Sequence, residues 1–294
     1  MKKTIALGYF DCLHKGHRYL LDIARKKAQE TMTELFVSTF EDGFFVTSKK
    51  EKKEIYLQSE RKEIFTSLGY NHILVFPSNQ VFLSYSKHNF LDYLMTFDPA
   101  EIVAGIDYRF GKNAEGTVND LQEYFFDRHV GVTVCDLYRI SGEKVSSECV
   151  RQYLLNGQIA QANTLLSDPF FYMGSVRQGR HVGTKIGFPT LNIVSPAYKI
   201  RIKSGVYVTR TDIEGKMYTS VTNVGGHPTF NDDDFNIETY AIGYHGDAYD
   251  KIVKVYFYDY IREIIHFSSP NELSKRIEQD IQIAKRYKGF LNDD

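Results

Sequence analysis

A parallel α/β unit followed by an antiparallel β-barrel with a terminal helix is the architecture predicted by this 294-residue sequence. Three observations carry the prediction. Short apolar runs alternate with helix-period segments through the first half, as crossover βαβ units require. From about Met173 the pattern changes to period-2 segments separated by turn residues, the mark of antiparallel strands. The last segment, after Ser269-Pro270, has the spacing of an amphipathic helix.

Taken in order, "TIALGYF" (4–10), "ELFVSTF" (34–40), "HILVFP" (72–77), "EIVAGIDYRF" (101–110) and "GVTVCDLYRI" (131–140) are rich in Val, Ile, Phe and Tyr and predict strands. After the first, "RYLLDIARKKAQE" sets Leu20, Ala24 and Ala28 on one helical face. "SKKEKKE" (48–54) predicts a solvated loop. In the second half, "SGVYVTRTDIEGKMYTSVTNVG" and "IETYAIGYHGDAYDKIVKVYFYDYIREIIHF" alternate as strands do, with hairpin turns expected at Glu214-Gly215 and Gly246-Asp247. They predict a barrel, with a sandwich as the alternative. The final helix takes Ser269 as N-cap and Pro270 at its first position, with Leu273, Ile277, Ile281 and Ala284 on one stripe. The border falls within 157–172, dividing the chain into domains at 1–158 and 168–290.

Composition narrows the function class. With 43% hydrophobic and 25% charged residues and a net charge of −1, the chain lacks the basic excess of a nucleic-acid binder. Cys12, Cys135 and Cys149 are few, odd in number and far apart, which argues against a disulfide framework. No stretch approaches the roughly 20 apolar residues of a membrane span, and no signal-peptide pattern opens the chain. The expectation is a reduced, cytoplasmic protein with small-molecule partners, no nucleic acid and no membrane, self-association being left open.

The densest chemistry in the first half is "GYFDCLHKGH" (8–17), between the first strand and a helix starting near His17. In a parallel sheet, ligands bind where strands end and helix N-termini present unpaired N–H groups. Gly8 is expected to let backbone approach a phosphate, and Gly16 to relieve the turn. His14 and His17 can stabilise charge developing at phosphorus. Zinc bound by Cys12, His14 and His17 is a rival reading, although the spacing matches no common pattern and no fourth ligand is near. In the second half, "GSVRQGRHVGTKIGFPTLNI" (174–193) combines Gly174, Gly179, Gly183 and Gly187 with Arg177, Arg180 and Lys185 in a basic loop suited to phosphates. Thr190 and Asn192 add the hard oxygen donors that Mg²⁺ accepts.

The first motif resembles the G-x-F-D-x-x-H-x-G-H signature of the HxGH nucleotidyltransferase superfamily, carried by Gly8, Phe10, Asp11, His14, Gly16 and His17. The resemblance implies a Rossmann-like fold and nucleotidyl transfer from an NTP to a phosphate with loss of pyrophosphate. It also implies nucleotide contacts from Gly8, Tyr9, Phe10 and Asp11, from Asp107 and Arg109 in "GIDYRFG" (105–111), and from Ser146, Ser147 and Arg151 in "VSSECVR" (145–151). The second motif resembles the G-F-P-T-A-N of riboflavin kinases. That likeness implies phosphate and metal binding by Gly179, Lys185, Gly187, Pro189, Thr190 and Asn192, and a general base at Glu238. "NVGGHPTF" (223–230) and "YIREIIHFSSPNEL" (260–273) extend it.

Together the halves are similar to the prokaryotic bifunctional riboflavin kinase/FAD synthetases. This implies ATP as substrate, Mg²⁺ as cofactor, riboflavin and FMN as acceptors and FAD as product. Departures from the family pattern are Cys12 for Gly, "TFEDGF" (39–44) for T-F-x-P-H-P, Glu148 for Thr, and His227 for Arg. Asp42 and Glu148 are expected to repel a triphosphate, leaving open a chain in which one half is weakened or inactive. A flavin-binding sensor needs no general base at Glu238, and a cytidylyltransferase needs no kinase half.

Overall fold

The structure, a computed structural model, describes residues 2–50, 52–179, 186–194, 196–225 and 235–292. The chain forms two compact units: Met1–Glu148 with Tyr198–Ile200, and Cys149–Ala197 with Arg201–Asp294.

In the first unit, the five expected strands are β1 (Lys3–Leu7), β2 (Glu34–Phe40), β3 (His72–Phe76), β4 (Pro99–Gly105) and β5 (Gly131–Cys135). They pair in parallel in the order β3-β2-β1-β4-β5. Helices α1 (Lys15–Glu30), α2 (Phe44–Thr47), α3 (Gln58–Ser67), α4 (Gln80–Leu83), α5 (Lys87–Met95) and α6 (Val118–Phe126) connect them. Leu20, Ala24 and Ala28 of α1 are buried as their spacing requires, together with Leu21. Ile5, Leu7, Phe76, Ile102, Ala104, Leu121 and Phe125 form one core. Strand order reverses at β1, which has β2 on one side and β4 on the other. The carboxyl ends of β1 and β4 are therefore where an open parallel sheet offers a crevice.

The segment Tyr198–Ile200 is stitched into this unit through Glu54. The Glu54 N–H donates to the Tyr198 carbonyl at 2.8 Å, and the Ile200 N–H donates to the Glu54 carbonyl at 2.7 Å. The stitch places the fully buried Lys199 ammonium 2.5 Å from the buried Glu60 carboxylate. Glu60 Oε2 also accepts the Leu57 N–H at the start of α3, at 2.8 Å. Next along α3, the guanidinium of buried Arg61 donates to the carbonyls of Tyr56 and Phe40, both at 2.6 Å. Burial pushes the Lys199 ammonium below its ordinary pKa, against the pull of Glu60.

A two-stranded hairpin, β6 (Arg139–Ile140) and β7 (Glu143–Lys144), precedes α7 (Ser147–Leu155) and α8 (Ile159–Leu165). The second unit is a closed antiparallel barrel, not a sandwich. Its strands β8 (Phe171–Arg177), β9 (Leu191–Val194), β10 (Gly205–Ile213), β11 (Lys216–Gly225), β12 (Asn236–Ala241) and β13 (Ile252–Arg262) run β10-β11-β12-β9-β8-β13 around the ring. Inside, the hydroxyls of Thr209, Thr211, Ser220, Thr222 and Thr239 bond to one another at 2.7–2.8 Å, so these buried polar groups are paired. The hairpin at Glu214-Gly215 forms as expected, with φ of 54° and 81°. The turn expected at Gly246-Asp247 is corrected: β12 pairs with β11 and β9, and β13 with β10 and β8, so residues 242–251 join strands that are not neighbours. The terminal helix α9 (Pro270–Arg286) is capped by Ser269, whose side chain accepts the Glu272 N–H. Its Ile281 and Ala284 pack on Val206, Val208, Val221 and Tyr258.

Removing one member of a buried ion pair strands the other charge, which costs about 3–5 kcal/mol. Lys199→Met is therefore expected to lower unfolding free energy by that amount in urea titrations. Lys199→Met/Glu60→Gln is expected to recover most of the loss, since neither position then carries an unpaired charge. Equal destabilisation by the single and double variants refutes this account.

Candidate active sites

The turn after β1 is shaped by strain and by one imidazole. Phe10 and Leu13 both take positive φ, 53° and 44°, a conformation that non-glycine residues pay for. Helix α1 starts at Lys15, earlier than the start expected near His17. The reason is that His14 occupies the N-cap and its Nδ1 accepts the His17 N–H at 3.1 Å. The two imidazoles stack, centroids 3.6 Å apart and planes within 14°. Gly16 lies beneath His14: a Cβ there would sit 3.1 Å from the ring. Phe10 meets His17 edge to face at 5.1 Å. Burial lowers His14 to about 4, with Asp107 opposing the shift, and it lowers His17 well below the ordinary imidazole value. Both rings are neutral near pH 7, so each carries one N–H able to donate to a phosphate oxygen.

Gly8 and Asp11 also hold the turn together from within the chain. The Gly8 N–H donates to Ser38 Oγ at 3.0 Å and its carbonyl accepts from the same hydroxyl at 3.1 Å, so its backbone is already engaged. Its missing Cβ makes room for the Phe10 ring, 2.6 Å from where that atom would stand. Asp11 is buried and its Oδ1 accepts the Ile55 N–H at 2.8 Å, pinning the chain beside Glu54. The half-buried Tyr9 ring is surrounded by Phe40, Phe44 and Phe45 at 4.9–5.6 Å.

Asp107 and Arg109 lie just after the end of β4 and are exposed, with Asp107 paired to Lys144 at 2.7 Å. Ser147 opens α7, and its Oγ accepts from Cys12 Sγ at 3.5 Å, which brings the start of α7 beside the histidine turn. Ser146 precedes it, half-buried; Arg151 is buried and belongs to the second unit. The two added carboxylates are neutralised locally. Asp42 accepts the Gln58 N–H at 2.6 Å and lies 3.8 Å from Arg61, and Glu148 is ion-paired with Lys52. The expected repulsion of a triphosphate is correspondingly reduced.

In the barrel, register builds a polar row. Glu238 of β12 stands opposite Asn192 of β9 and Asn223 of β11, while Asn192 stands opposite Arg177 of β8. Paired residues of neighbouring strands share a face, so these four side chains project together. Asn236 bridges the row, its Nδ2 donating to Glu238 Oε1 at 3.0 Å and to Asn192 Oδ1 at 3.4 Å. Gly179 passes directly over Asn192: a Cβ would fall 2.2 Å from Nδ2. Gly187 has φ of 88°, Pro189 is exposed and Thr190 half-buried, with the Thr190 carbonyl accepting from Asn192 Nδ2 at 3.3 Å. Lys185, Arg180, Gly183 and His227 lie outside the described residues. The sequence motifs do not single out Ser38 or Asn236, and they include Asn223 only as the first residue of "NVGGHPTF". For Asn236 the signal was its alternation with Glu238 in "NIE".

A nucleotidyltransferase-type α/β unit and a kinase-type barrel in one chain define a two-domain transferase. The sequence model of the FAD synthetase family matches residues 1–149, and that of the riboflavin kinase family matches residues 166–288. The chain is 33% identical over 293 residues to the bifunctional riboflavin kinase/FMN adenylyltransferase of Bacillus subtilis, spanning 97% of this chain and 92% of that protein. To the protein of the same description from Listeria monocytogenes it is 31% identical, over 100% of this chain and 95% of the relative. A crystal structure from Streptococcus pneumoniae described as a macrolide-efflux protein superposes with a TM-score of 0.87 at 28% identity, covering 98% of this chain and 95% of that one. Among the described residues of this chain, no helix is long and apolar enough to cross a membrane. The chain belongs to the bifunctional riboflavin kinase/FMN adenylyltransferase family.

The neutral His14 gives a pH signature. Its folded pKa lies below the 6.5 of an ordinary imidazole, so protonation favours the unfolded chain. Its contribution is complete above about pH 6.5 and drains away as the pH falls towards 4. His14→Asn is expected to show a smaller stability loss between pH 7 and pH 5 than the parent protein in urea titrations. Identical losses refute the assignment.

Proposed function

We propose that the α/β unit adenylylates FMN and the barrel phosphorylates riboflavin, both at the expense of ATP. The observation that carries the first step is the stacked, neutral His14–His17 pair at the carboxyl end of β1. A phosphate oxygen of FMN attacks the α-phosphorus of ATP, the bond to the β-phosphate oxygen breaks, and pyrophosphate leaves. Imidazole N–H groups from His14 and His17 hold the α-phosphate oxygens as charge accumulates there, with no covalent intermediate. Ser146, Ser147 and Arg151 are assigned to the triphosphate, and Asp107 and Arg109 to the nucleoside. Gly8, Tyr9, Phe10 and Asp11 are assigned to the wall of the nucleotide and acceptor site, Gly8 and Asp11 also supporting the turn.

In the barrel, Glu238 accepts the proton of the ribityl hydroxyl as that oxygen takes the γ-phosphoryl group of ATP and ADP departs. Asn236 orients the carboxylate through its bond to Oε1. Gly179, Lys185, Gly187 and Pro189 are assigned to the loop over the phosphates. The Thr190 hydroxyl and Asn192 amide oxygen form a hard donor set beside the base, and these residues would hold Mg²⁺. When bound, that ion supplies neutralisation of phosphate charge. The proposed setting is the cytoplasm, where ATP is made available to both steps.

His17→Ala is expected to slow FAD formation from FMN by about 10²–10³ while sparing riboflavin phosphorylation, since one charge-stabilising donor is lost. Equal losses in both activities indicate a folding defect and refute the assignment. Glu238→Gln keeps shape and reach but removes the base, so riboflavin kinase turnover is expected to fall by about 10²–10⁴ with KM for riboflavin little changed. FAD synthesis from supplied FMN continues in that variant. Undiminished kinase turnover shows that Glu238 is not the base.

A further inference from the structure

We propose that Lys52 binds the leaving pyrophosphate in adenylyl transfer, and that Glu148 holds its ammonium at the start of α7 until the triphosphate of ATP takes that place. The inference rests on the reading of the α/β unit given above, and adds a residue to that same site.

Glu148 brings a carboxylate to the second position of α7, directly after Ser147. In the first turn of a helix a carboxylate favours the helix, yet it repels the phosphate oxygens that Ser146 and Ser147 are assigned to hold. The Lys52 ammonium is ion-paired with it, so a cation already lies one glutamate side chain from the first turn of α7. Cys12 Sγ donates to Ser147 Oγ at 3.5 Å, which sets this start of α7 beside the turn that carries His14 and His17.

The chain holds Lys52 there from both sides. "SKKEKKE" (48–54) reads as a solvated loop, but its end is fixed. The Lys52 N–H donates to the Lys50 carbonyl at 2.8 Å, and the Lys50 N–H to the Phe45 carbonyl at 2.8 Å. Two residues further on, Glu54 is fully buried. Its backbone is bonded to Tyr198 and Ile200, and its Oε1 accepts the Gly43 N–H at 2.9 Å. The backbone at 52 is thus anchored, while the side chain is a flexible four-carbon stem ending in a point charge. The pair with Glu148 is easily exchanged: the two side chains are 42% and 49% exposed, and ion pairs so open to water contribute little. A triphosphate, carrying more charge than one carboxylate, draws the ammonium to itself.

When the FMN phosphate oxygen attacks the α-phosphorus, the bond from that phosphorus to the bridging oxygen breaks. The electron pair of the broken bond stays with pyrophosphate, which gains one negative charge. His14 and His17 are assigned to the α-phosphate, and an ammonium at the start of α7 meets the charge that departs.

The test measures FAD formation by the full chain from Mg²⁺-ATP and FMN. Lys52→Met is expected to raise KM for ATP at least about tenfold, the scale of one lost hydrogen bond between charged groups. The inhibition constant of pyrophosphate is expected to rise by a similar factor, and that of adenosine monophosphate to change little. Lys52→Gln serves as a second variant if the first unfolds, as judged by circular dichroism. Glu148 separates binding from mere neutralisation: KM for ATP in Lys52→Met/Glu148→Gln is expected to stay at least about tenfold above that of Glu148→Gln alone. Equal KM in those two proteins overturns the proposal, because Lys52 then only cancels Glu148. It is overturned equally by a parent-like KM in a folded Lys52 variant, or by inhibition by adenosine monophosphate weakened as much as that by pyrophosphate. Absence of FAD synthesis by the parent protein would sink the functional reading instead, while calorimetric titration of Mg²⁺-pyrophosphate into the parent and Lys52→Met still decides the role of Lys52.

Discussion

A lysine ammonium and a glutamate carboxylate 2.5 Å apart and out of water anchor the start of α3 in the α/β unit. Lys199 and Glu60 are 139 residues apart in sequence. Their pairing fixes the start of α3, because the same Glu60 oxygen accepts the Leu57 N–H. Arg61 follows on the helix and ties the carbonyls of Phe40 and Tyr56 together. Phe40 ends β2, and the Tyr56 N–H donates to the Asp11 carbonyl at 3.0 Å, so the network reaches the histidine turn. A buried pair of this kind adds little net stability over an apolar pair. What it supplies is a single arrangement, since any other register strands a charge.

That rigidity is what the turn after β1 needs. Two non-glycine residues in the left-handed region are tolerated only where the surroundings over-determine them. Here Asp11 is pinned to Ile55, Phe10 packs on Phe65 at 5.9 Å, and Gly8 is fastened on both backbone groups to Ser38. The result holds two neutral imidazoles in contact before any ligand arrives. In the role proposed for these histidines, donors fixed in advance need no reorganisation when charge develops.

The barrel reaches the same end by different means. Its polar row comes from cross-strand register: a shift by one residue would turn Glu238, Asn192 and Asn223 to the other face. The hydroxyls of Thr209, Ser220, Thr222 and Thr239 tie neighbouring strands together inside the barrel. The same strands thus carry a specifying network within and a candidate catalytic row without.

By itself the sequence determined the elements and their class: period-2 and period-3.6 patterns follow from local geometry, and the five strands, α1, the Glu214-Gly215 turn and the capped terminal helix needed nothing more. The density of histidines and glycines in 8–17 and the run "GFPTLN" marked both candidate sites, because so many reactive groups in so short a stretch have a local meaning. Tertiary structure alone decided the rest. No pattern announces that Tyr198–Ile200 joins the first unit, that β12 lies beside β9 and β11 while β13 lies elsewhere, or that Asn223 and Asn236 converge on Glu238. That Gly8 seats the ring of Phe10 is also a matter of tertiary packing. Asp42 and Glu148 looked repulsive and proved to be engaged by Arg61 and Lys52. Each of these depends on a partner distant in sequence, and only the closed chain brings such partners within reach of a hydrogen bond or a charge.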